Sequence, residues 1–211
     1  MSRGPIVSED GFLRPRGRGE HSEPLAACIL CAEKGGRALL RIRPAEARDA
    51  QALDALFRHA RAAIACLGID QWQDGYPEPD LIAGDIARGD AYGFEVDGVL
   101  AGYMTAMLDP EPLYGAIDGR WRCEGPYLTV HRMAIDDGFR GTGLSVAMLD
   151  FARDFARKHG CASVRADTHR GNRAMRGLLE KCGYLFCGEV RYPVAAGDPV
   201  RVAYELPLEP K

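Results

Sequence analysis

The chain has 211 residues, 46% of them hydrophobic and 27% charged, an average mix that fills one domain core and leaves length for a tail. Its formal net charge of -3 gives no global basic field to draw in nucleic acid, and no apolar run of about 18 residues exists to cross a bilayer. Neither nucleic acid nor a membrane is therefore expected as a partner.

The first residues include an early arginine, but Pro5, Glu9 and Asp10 break any apolar stretch long enough for a secretory signal, so the cytoplasm is the expected compartment. Residues 1–36 read as a disordered leader. Between Gly11 and Glu23, Arg14, Pro15, Arg16, Gly17, Arg18 and Gly19 follow no period. The apolar patch Leu25 to Cys31 is expected to form one short helix. Within it, Cys28-Ile29-Leu30-Cys31 has a spacing with which two thiolates share a zinc ion. A structural zinc needs two more ligands and only His21 lies close by, so no metal is expected. The remaining cysteines, Cys66, Cys123, Cys161, Cys182 and Cys187, are scattered and bring the total to an odd seven. They read as small core residues in a reducing compartment.

Order is expected from Ala38. Leu39, Leu40 and Ile42 precede Pro44 as a first strand. Ala45 to Leu67 carries Leu53, Leu56, Phe57, Ala60, Ile64 and Leu67 at amphipathic helical spacing, with Gly68 as its end. A loop, Gln71-Trp72-Gln73-Asp74-Gly75-Tyr76-Pro77, leads to a helix over Pro79 to Arg88. Strands over Ala91 to Glu95 and Val99 to Met107 flank Asp97-Gly98, a strong hairpin signal. Pro110 to Gly125 reads as irregular, and Tyr127 to Ile135 as a strand. Leu144, Ala147, Met148, Phe151, Ala152 and Phe155 form the apolar stripe of a long helix, followed by a strand over Ser163 to Thr168. Met175, Leu178, Leu179 and Cys182 share a further helical face, closed by Gly183. Strands over Tyr184 to Arg191 and Val200 to Leu206 end the chain, with a turn near Ala196-Gly197-Asp198. Helices alternating with strands after an antiparallel start predict one mixed α/β domain over 37–211.

The stretch His131 to Ser145 carries the chemistry. A strand runs into Asp136-Asp137-Gly138-Phe139-Arg140-Gly141-Thr142-Gly143, and that loop opens a helix. Glycine lets the backbone turn tightly, and the first helical amides have no internal partner and sit at the positive end of the dipole. Such an entrance binds phosphate oxygens, and Arg140 can add a charge-assisted contact. The dinucleotide fingerprint would need glycine at Val146, and the nucleotide-triphosphate loop a terminal Gly-Lys-Ser/Thr; neither is present. A glycine turn before a core helix is the structural alternative.

Arg140-x-x-Gly143-x-Ser145 resembles the Gln/Arg-x-x-Gly-x-Gly/Ala signature of the GNAT superfamily of acyl-CoA-dependent N-acyltransferases. A second block, Asp167 to Asn172 through Leu178-Leu179-Glu180-Lys181-Cys182-Gly183-Tyr184, is similar to that superfamily's Asn, Leu-Tyr-Glu-Lys, Gly-Phe segment. Gln71-Trp72 and Gly75-Tyr76-Pro77 resemble an uncharacterised bacterial branch. The resemblance implies a mostly antiparallel central sheet with flanking helices and a V-shaped splay between two central parallel strands. It implies acetyl-CoA as donor, with the diphosphate on Arg140, Gly141, Thr142, Gly143, Leu144 and Ser145. Pantetheine would pair with the backbone of Met133, Ala134 and Ile135, with Asn172 holding its arm. Asn172 is equally an N-cap for the helix that follows.

Ser145 stands where glycine or alanine is usual, and Leu179 where many members have the tyrosine that protonates the leaving thiolate. Water or a tyrosine from elsewhere could supply that proton. His131 and His169 are the candidate bases; a buried, hydrogen-bonded histidine is the alternative for the first. Asp74 and Glu78 could bind a cationic amine or merely face solvent. Trp72 and Tyr76 could wall the acceptor pocket or pack the first helix. The expected activity is acetyl transfer to a primary amine of a small molecule or peptide, by direct attack in a ternary complex, in a possible homodimer. A non-catalytic acyl-CoA sensor of the same fold, and an unrelated nucleotide-binding protein, are the alternatives.

Overall fold

A computed structural model describes residues 26–31, 37–193 and 197–209. Its described strands form one open sheet in the order β1-β2-β3-β4-β6-β7-β9-β8-β5. These are β1 (Ala26–Cys31), β2 (Arg37–Pro44), β3 (Ala91–Val96), β4 (Val99–Met107), β5 (Asp118–Gly119), β6 (Tyr127–Ile135), β7 (Ser163–His169), β8 (Leu185–Arg191) and β9 (Val200–Pro207). The helices are α1 (Ala50–Ala65), α2 (Pro79–Arg88), α3 (Leu144–Lys158) and α4 (Arg173–Lys181). All pairings are antiparallel except β6 with β7, so the architecture is the mixed, mostly antiparallel sheet that the sequence predicts.

The helix expected over Leu25 to Cys31 is instead strand β1, which pairs antiparallel with β2 along Ala26–Cys31. Such a short apolar run has no period to separate strand from helix, and the open edge of β2 supplies the pairing that decides it. The zinc spacing at Cys28 and Cys31 with His21, the rest of the leader and Ala196 of the last turn lie outside the residues whose side chains are described. Helix α1 begins at Ala50, after a 3-10 turn at Ala47–Asp49, rather than at Ala45.

Alternation along β4 separates two apolar layers. Tyr103 packs with Leu53, Leu56, Phe57 and Ile82 of α1 and α2, whereas Met104 joins Met148, Leu149 and Ala152 of α3. Asp97 and Gly98 have φ of 49° and 83°, the left-handed pair that a two-residue hairpin requires. Among the described residues no helix is long and apolar enough to cross a membrane.

Candidate active site

Strands β6 and β7 pair only over Tyr127–Val130 with Ser163–Ala166. Beyond that, β6 stays with β4 and β7 with β9, so the backbone of His131 to Ile135 has no strand opposite it on the β7 side. A bulge widens the gap. Tyr103 faces Ala134 and Thr105 faces His131, so Arg132 and Met133 share one opposing residue, and Arg132 adopts φ 51°. The result is a cleft of about 500 Å³, within the usual range for small-molecule sites. Val130 to Ile135 line one wall and Asp167, Thr168, Asn172, Met175 and Leu178 the other.

At one end stands the glycine loop. Asp136 accepts a bond from Gly138 N at 3.0 Å, and Thr142 Oγ1 donates to Phe139 O at 2.7 Å, which fixes the turn. Gly141 and Gly143 have φ of 75° and 85°, and Gly143 is the N-cap of α3. Ala147 N closes onto Gly143 O at 3.0 Å, so the amides of Leu144, Ser145 and Val146 precede the first full helical turn and have no carbonyl one turn back. Arg140, Gly141 and Ser145 line the cleft; Thr142 and Gly143 do not, and the Leu144 side chain is buried in the main core. Arg140 is exposed and pairs with Asp137 at 2.7 Å, a contact weak enough to be exchanged for another anion. Asn172 caps α4 through a bond from Met175 N at 3.1 Å while its Nδ2 donates to Gln71 at 3.3 Å, and it lines the cleft as well.

At the other end His131 is mostly buried, with Nε2 3.1 Å from Glu111 Oε2 and Nδ1 3.8 Å from Asp167 Oδ1. The first distance is a hydrogen bond and the second is too long for one. The His131 contact holds the Glu111 carboxyl below its ordinary range, so Glu111 is an ionised acceptor and the ring's Nε2 carries the donated hydrogen. Asp167 Oδ1 accepts from Tyr114 OH at 2.7 Å and Tyr192 OH at 2.9 Å. Burial pushes both phenols far above their ordinary range, so both keep their protons as donors.

Arg132, turned by the bulge, is bonded to the fully buried Asp85 at 2.8 and 2.9 Å and donates to Tyr76 OH at 2.8 Å. Tyr103 OH also donates to Asp85, at 3.2 Å. Trp72 lines the cleft and packs edge-on against Phe57 of α1. Asp74 accepts from Tyr76 N at 3.2 Å on the rim, and Glu78 stands at the N-cap position of α2, without a capping side-chain bond and away from the cleft.

His169 does not line the cleft. Its Nε2 faces Asp70 at 3.4 Å and Asp198 at 3.5 Å, and Nδ1 accepts from Gly171 N at 2.9 Å. Burial, assisted by Arg201, lowers its pKa from the usual 6.5. Leu179 is fully buried in the core, leaving an aliphatic wall of Met175 and Leu178. Sequence reasoning passed over Glu111, Tyr114, Tyr192, Asp167 as a site residue, and Asp85. Glu111 and Tyr114 sit in a stretch without period, and only the sheet brings them to His131.

The model of the acetyltransferase (GNAT) family matches residues 51–184. A structure of a GNAT-family acetyltransferase from Streptococcus agalactiae 2603 is 37% identical and superposes with TM-score 0.72, covering 86% of this chain and 99% of that one. One from Listeria monocytogenes 4b F2365 is 22% identical, with 86% and 100% covered and TM-score 0.63. The fold is shared at 18% identity with yncA from Salmonella typhimurium, solved with its cofactor acetyl-CoA, over 81% and 94% of the chains at TM-score 0.56. A search of curated proteins returns no match.

Proposed function

The chain belongs to the acetyltransferase (GNAT) family, and from that premise we propose that it moves an acetyl group from acetyl-CoA to a primary amine of a small molecule or peptide. The observation that carries this reading is a single cleft with free helix amides at one end and the Glu111–His131 pair at the other. The amides of Gly141, Leu144 and Ser145, with Arg140, take the diphosphate; the unpaired backbone of Met133, Ala134 and Ile135 meets the pantetheine amides; Asn172 lies beside that arm. Acetyl-CoA as the donor is supported by yncA, a protein of like fold solved with acetyl-CoA.

Bound there, the coenzyme supplies an already activated thioester. His131, with Nε2–H on Glu111, presents the Nδ1 lone pair and removes one proton from the incoming ammonium. Glu111 then offsets the charge on the imidazolium. The freed nitrogen forms its bond to the acetyl carbon, the carbon–sulfur bond breaks, and the thiolate collects a proton in place of the second one the nitrogen loses. Among the described residues no cysteine lines the cleft, which favours direct attack in a ternary complex over an acyl-cysteine route. Trp72 and Tyr76 wall the acceptor side and Asp74 marks its rim.

Purified protein given acetyl-CoA and a broad panel of amines should release free thiol with at least one of them. The second reading, a coenzyme sensor, draws on the burial of Leu179, which leaves no hydroxyl at that position. Stabilisation by acetyl-CoA without thiol release on the whole panel would select it.

A further inference from the structure

Asp167 has a role that the transfer reaction does not yet use. Its side chain is only 7% exposed. Oδ1 is saturated, holding the Tyr114 and Tyr192 hydroxyls. Oδ2 receives no bond from any described residue, yet it is not among the side-chain atoms that are both sealed from solvent and unpartnered. Asp167 lines the cleft. A carboxylate oxygen in such a place is completed by a hydrogen-bond donor from the cleft, and a cationic donor makes the stronger, charge-assisted bond.

The surroundings leave that pole negative. Glu111 lies on the far side of the His131 ring. Arg132 is committed to Asp85 and Tyr76. Arg201, which also lines the cleft, donates to the Asp198 and Val200 carbonyls and lies over the Tyr192 ring at 5.9 Å. The nearest ring nitrogen to Asp167 is His131 Nδ1, the atom that carries the lone pair.

Resting on the acetyl-transfer reading, we propose that Asp167 Oδ2 is the acceptor's ammonium anchor, so that the substrate class is a primary alkylammonium bound as the cation and handed to His131 Nδ1 for deprotonation. Tyr114 and Tyr192 are positioning residues that point the carboxylate at the cleft. The anchor explains how a neutral-pH amine, present almost entirely as its ammonium form, enters an active site before losing its proton.

The test begins with whichever amine the wild-type protein acetylates best. Asp167→Asn should raise KM for that amine roughly ten- to a hundredfold, the loss of one charge-assisted contact, with the KM for acetyl-CoA unchanged. Calorimetric coenzyme A binding to the variant reports whether it is folded. A second measurement needs no mutation: the N,N-dimethyl analogue of the amine, cationic but not acylable, should compete with it on the wild-type enzyme, and its neutral isopropyl isostere should not. An unchanged amine KM in a folded Asp167→Asn, or equal inhibition by the two isosteres, overturns the anchor. A wild-type protein that turns over no amine overturns the acetyl-transfer reading instead.

Discussion

Removing the carboxylate of Asp85 should be among the most damaging single changes to this fold. Asp85 is fully buried and takes two bonds from Arg132, one from Tyr103 and one from Arg88. The Arg132 side chain is itself only 7% exposed. Asp85→Ala therefore strands a guanidinium in the core, for which the expected loss is about 3–5 kcal/mol. For a protein of this size, that is a fall in Tm of roughly 6–20 °C. Replacing both partners, Asp85→Leu with Arg132→Met, removes both charges, so the double variant should be less destabilised than Asp85→Ala alone even though two tyrosine hydroxyls lose a partner. Urea unfolding followed by tryptophan fluorescence measures all three proteins. The reasoning fails if Asp85→Ala lies within about 1 kcal/mol of wild type, or if the double variant is destabilised as much as Asp85→Ala.

Other expectations concern the two ends of the cleft and its flanks. Valine at both Gly141 and Gly143, whose φ of 75° and 85° bulky residues resist, should weaken coenzyme A binding at least about tenfold by calorimetry; unchanged affinity would remove the diphosphate site. His131→Gln should lower kcat by about 10²- to 10⁴-fold with coenzyme affinity intact, and Glu111→Gln by less; a wild-type kcat for His131→Gln would rule out the base. His169 has its pKa depressed from 6.5 and is neutral in the fold, so the unfolded chain binds the extra proton below that pH. Its contribution is present above 6.5 and is lost as pH falls toward the folded value, and His169→Asn should flatten that part of the stability curve; an unaltered slope would show the imidazole is not responsible. Leu179→Tyr adds a ring to a fully buried position, so it should destabilise by about 1–3 kcal/mol, as read by thermal unfolding, and not raise turnover.

Local chemistry was enough to read much of this protein from its residues. The stripes through Leu53 to Ala60 and Leu144 to Phe155, the Asp97-Gly98 turn and the loop ending at Gly143 each express a rule that operates within a few residues, and the elements appear within a few positions of where those rules put them. The glycine-loop end of the cleft is legible for the same reason: a strand, a glycine turn and a helix entrance are contiguous in the chain. The opposite end, around His131, is not contiguous. Glu111 and His131 are 20 positions apart, Tyr114 and Asp167 53, and Arg132 and Asp85 47. No spacing rule connects such residues; the order of strands, the β6 bulge that turns Arg132 inward and the parting of β6 from β7 bring them together. The same holds for β1, whose apolar run is ambiguous alone and becomes a strand because β2 offers an unpaired edge. Sequence determines what a segment can become; which partners face it across the sheet, and hence where charge is buried and a carboxylate left open, is decided only when the chain closes on itself.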